Sequence, residues 1–134
     1  MKKGFTLIEL LIIIIVVAIL AILIITYLNF GRNKAKDALM IEIMGTSLTK
    51  FSVEYYLNSP TKNYAAFCSD DATRDLLGKI NPTQQCFSDN NKWVVCAQFY
   101  SSSAKAWCAD NTGVKKEITA GPRGACRAGI RSCP

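Results

Sequence analysis

Sixteen consecutive apolar residues, Leu10 to Ile25, open this chain, and Thr26, Tyr27 and Leu28 lengthen the run. A stretch of that length crosses a bilayer as a helix. A secretory signal would carry a shorter apolar core followed by a small-x-small cleavage site. Thr26-Tyr27-Leu28-Asn29-Phe30 follows instead, so the run is expected to be retained. Lys2 and Lys3 favour a cytoplasmic N-terminus, and Arg32, Lys34 and Lys36 beyond the run weaken that bias. Glu9, at the head of the run, is out of keeping. A carboxylate in bilayer core is unfavourable by roughly 2.5–3.5 kcal/mol on insertion scales.

Helical patterning continues past the membrane length. Ile41, Met44, Leu48, Phe51 and Tyr55 recur at three- and four-residue steps and predict one buried face. Lys36, Glu42, Ser47, Lys50 and Glu54 fall opposite. Asn58-Ser59-Pro60 predicts the stop, because proline disfavours helix in the residue before it. A helix from Phe5 to Leu57 would be about 80 Å long at 1.5 Å per residue. It contains no proline, and Gly31, weaker than alanine by about 1 kcal/mol, is a candidate soft point.

The remainder reads as a small head. A short helix is expected around Ser69–Leu77, ending at Gly78, with a break at Asn81-Pro82. "KWVVCAQFY" and "AKAWCAD", separated by Ser101-Ser102-Ser103, predict a hairpin. Pairing Tyr100 with Ala104 places Cys96 across from Cys108 and gathers Trp93, Val95, Ala97, Phe99, Trp107 and Ala109 on one apolar face. Opposed Cα atoms lie about 4.5–5.5 Å apart, within disulfide reach, so a Cys96–Cys108 bridge is expected. Proximity along the chain pairs Cys68 with Cys86 and Cys126 with Cys133.

Six cysteines, all after the apolar run, point to disulfides in an oxidising compartment. None forms the close pair a zinc site needs, so neither a metal nor a cofactor is expected. The absence of histidine excludes Ser/His and Cys/His catalytic arrangements. Ser88-Asp89-Asn90-Asn91 and Asp110-Asn111-Thr112-Gly113 read as turns rather than as calcium loops. Residues 61–134 hold ten Lys/Arg against six Asp/Glu, a basic surplus that attracts polyanions. Arg123, Arg127 and Arg131 are the candidate phosphate contacts, although glycines at 121, 124 and 129 argue against a helix aligning them.

K-K-G-F-T-L-I-E-L-L resembles the prepilin signal of type IV pilins and type II secretion pseudopilins. The resemblance is close over about residues 1–30 and only architectural beyond. It implies an α+β pilin fold: a helical spine over about residues 5–57, its first half transmembrane and later filament core, packed on a small antiparallel sheet with disulfide-linked loops. It implies a leader, 1–4, cut by a membrane aspartyl peptidase between Gly4 and Phe5, with Phe5 then N-methylated. Residues 5–30 would form the membrane and filament-core half. Residues 31–134 would form the amphipathic half-helix and the head. Glu9 of one subunit would pair with the Phe5 amine of a neighbour, and Cys126–Cys133 would pin the last segment to the sheet.

The role implied is structural rather than enzymatic. The subunit would polymerise with itself into a surface filament for adhesion, twitching motility or DNA uptake. It would begin in the inner membrane and leave it through the pilus assembly machinery. Two alternatives stay open: a pseudopilin of a type II secretion system, or a competence pilin binding DNA through its basic head. A host surface is a further partner in the adhesive role.

Overall fold

The computed structural model describes residues 4–80, 83–119, 126 and 129–134. The chain divides into two units, Met1–Asn33 and Lys34–Pro134. Helix α1 runs Leu7–Glu42, followed by a π-helical segment, Ile43–Ser47, and by α2, Leu48–Asn58. The helix is long and apolar enough to cross a membrane. A helix is what such a sequence must form in lipid, where every backbone polar group needs a partner within the segment.

Gly31 does not interrupt α1. The departure from α-geometry lies further on, at Ile43–Ser47, where the Leu48 N–H reaches back to the Ile43 carbonyl. The π segment changes which residues face inward. Met40, Met44, Leu48 and Ser52 are all buried although they step by four. In a regular α-helix each such step overshoots a full turn by about 40°. The wider π turn takes more residues per revolution and cancels part of that drift. Met40 and Ile43 therefore enter the core, while Ile41, Phe51 and Tyr55 pack partly buried against it. The Ser52 hydroxyl donates to the Thr49 carbonyl at 2.7 Å, which satisfies a polar group on the buried face.

The sheet is an antiparallel meander, β1 (Gln85–Ser88), β2 (Trp93–Gln98), β3 (Lys105–Asp110) and β4 (Lys115–Thr119), in that spatial order. Cys96 lies opposite Cys108, and Ala97 opposite Trp107, as the hairpin register required. β1 and β4 are additions that the turn-rich flanks did not disclose. Both are short, and β4 carries Lys115, Lys116 and Glu117, charges that blunt an exposed edge.

On the front face, Trp93, Val95, Ala97 and Ala109 pack with Met40, Met44 and Leu48 of the spine. Phe67 is fully buried there; its ring centroid lies 5.2 Å from Trp93 and 5.4 Å from Tyr55. Phe67–Ser69 is one 3₁₀ turn leading into α3, Asp71–Gly78, which starts two residues later than the expected helix. Asp70 caps it, accepting from the Ala72 and Thr73 N–H groups. The expected break at Asn81-Pro82 lies outside the described residues.

Val94, Cys96, Ala106, Cys108 and Ile118 form the back face, packed with Phe87, Ile130, Cys126 and Cys133. Cys68 bonds to Cys86. The expected Cys96–Cys108 and Cys126–Cys133 bridges do not form. Cys96 joins Cys126, and Cys108 joins Cys133. The register is right and the inference from it is not. Both sulfurs face the back of the sheet, where each takes a partner from the C-terminal segment that covers that face.

Candidate functional site

The residues expected to be cut, methylated and paired lie at the N-terminal end of α1. Gly4, Phe5 and Thr6 precede the helix, and Phe5 is 74% exposed. A side chain built at Gly4 would meet nothing within 4 Å. Thr6 and Glu9 form a capping box. The Thr6 N–H and hydroxyl both donate to Glu9 Oε2, at 2.9 and 2.8 Å, and the Glu9 N–H returns to the Thr6 hydroxyl at 3.3 Å. The carboxylate also lies in the first helical turn, where the helix dipole favours negative charge. Glu9 is thus not a bare acid. The T-x-x-E spacing at Thr6 and Glu9 is the sequence signal for this cap.

A second missed site stabilises the head. Asp37, buried within the spine, accepts from the Tyr100 N–H at 2.6 Å and the Ser101 N–H at 3.2 Å. Lys36, its neighbour, lies 4.9 Å over the Tyr100 ring. Together they tie the helix to the β2–β3 loop. A single acid on a helix carries no sequence signal for such a role.

The candidate phosphate contacts are not brought together among the described residues. Arg131 sits 5.0 Å over the Phe87 ring, and Arg123 and Arg127 lie outside those residues. Asp89 Oδ1 accepts from the Asn91 and Lys92 N–H groups. Asp110 Oδ1 accepts from the Thr112 N–H and hydroxyl and from the Val114 N–H. Both acids thereby close the turns between strands. Among the described residues, no three potential metal-ligating side chains converge.

Residues 1–25 match the family model of the prokaryotic N-terminal methylation motif. Neither a curated protein nor a solved structure matches the chain. The chain therefore carries the prepilin signal of type IV pilins and pseudopilins on an α+β architecture like theirs, a long N-terminal helix packed against a four-stranded antiparallel sheet.

Proposed function

We propose that this chain is the structural subunit of a type IV pilus, polymerising through α1. The methylation motif over residues 1–25 carries this reading. The precursor is anchored in the inner membrane by α1. A prepilin peptidase removes residues 1–4 at the Gly4–Phe5 bond, and Phe5 becomes N-methylphenylalanine. Glycine suits the cut because it lets a protease approach the backbone closely. Residues 5–30 then enter the filament core, and residues 31–134 form the outward half-helix and head.

Cleavage creates an amine that the precursor lacks, with an ordinary pKa near 7.7–8.0, so it arrives largely charged. In the filament it pairs with Glu9 of a neighbouring subunit. Thr6 holds that carboxylate in place beforehand, so little side-chain freedom is lost on pairing. Removing one partner of a buried pair costs about 3–5 kcal/mol. A subunit seated at the wrong height leaves the amine unpaired, and the pair thus acts as a register signal.

The test is to shear filaments from cells and identify their main protein and its N-terminus. Long filaments built mainly of this chain, beginning at N-methylated Phe5, support the proposal. Trace amounts beside a secretion apparatus would move the reading to a pseudopilin.

A further inference from the structure

The last turn of α2 frames an open groove of about 340 Å³ lined by Phe51, Glu54, Tyr55, Asn58, Ser59 and Pro60. Two features make it a site for an organic cation. Glu54 is exposed and makes no ion pair among the described residues. The aromatic side chains of Phe51 and Tyr55 line the groove and can pack against an aliphatic stem. A lysine side chain fits this combination of acid and rings.

Most head lysines are engaged within their own subunit. Lys79 pairs with Asp75 and Lys105 with Glu117. Lys62 donates to the Leu57 carbonyl and Lys115 to the Gly45 carbonyl. Lys116 is exposed and makes no ion pair among the described residues. It stands opposite Cys108 in the register and two residues before Ile118, both back-face residues, so it lies on the back of the sheet. The spine and α2 lie on the front.

We infer that Lys116 of one copy docks in the Glu54 groove of the next. The inference rests on the polymerising reading and adds a head-to-head-domain contact to the pair at the helix N-terminus. The two halves sit on different faces of one head, so the contact is heterologous. Repetition of such a contact, unless it closes into a ring, builds a helical filament.

The experiment treats sheared wild-type filaments with a zero-length carbodiimide and maps the cross-linked peptides. A Glu54–Lys116 link between subunits is expected. Glu54→Lys and Lys116→Glu should each lower filament yield about two- to fivefold, the range of a partly exposed ion pair, and the double swap should restore it. Unchanged disulfide maps of the variants confirm their folding. Wild-type filaments that lack the link, or single swaps that leave yield unchanged, would overturn this contact alone, as would a double swap without rescue. Absence of filaments from the wild-type chain would overturn the polymerising reading with it.

Discussion

Asp37 and Tyr100 are joined by a 2.6 Å hydrogen bond from the Tyr100 backbone N–H to Asp37 Oδ1, across 63 residues of sequence. The same carboxylate holds the Ser101 N–H with its other oxygen. One side chain thus fixes the loop between the two central strands against the spine.

Asp37→Ala should leave both N–H groups without their acceptor and destabilise the head by about 2–4 kcal/mol. Asp37→Asn keeps one acceptor oxygen and should lose less. Denaturant unfolding of the full chain in detergent, with disulfides intact, measures both. Equal stability of Asp37→Ala and wild type would remove the clamp.

Peptide mapping of the unreduced protein should give Cys68–Cys86, Cys96–Cys126 and Cys108–Cys133. Replacing Cys108 and Cys133 together by serine should cost about 2–4 kcal/mol, because it frees one end of the segment over the back face. A Cys96–Cys108 peptide would contradict the arrangement of that face.

Gly45 lies in the π segment with helical backbone around it and open space where a side chain would stand. Gly45→Ala should stabilise the chain by about 0.5–1 kcal/mol, by restricting the unfolded chain and by higher helix propensity. A rise in the denaturation midpoint is the expected readout. A fall would mean that the π turn depends on the glycine.

What could be read from sequence follows from how local each determinant is. The β2–β3 register was legible because a three-residue loop and a period-two apolar pattern both fix it, and Trp93, Val95 and Ala97 took the expected face. The spine's length and stop were legible from Leu10–Ile25 and Pro60. The π segment was not, since one widened turn leaves no compositional mark and only exchanges Ile41 for Met40 and Ile43 in the core. The bridges of Cys96 and Cys108 depend on where a distant tail lies, and opposed strand positions say nothing of that. Thr6 and Glu9 were legible in principle, as a capping box three residues apart.

The central claim is that Glu9 and the amine freed at Phe5 hold subunits in register, and assembly of Glu9→Ala tests it most directly. Membrane and sheared fractions should be compared by mass spectrometry of the N-terminus, with Gly4→Leu as the uncut control. The account predicts that Glu9→Ala is cut at Gly4 and methylated, accumulates in the membrane and yields few filaments. Filaments of normal abundance and length from Glu9→Ala would contradict it.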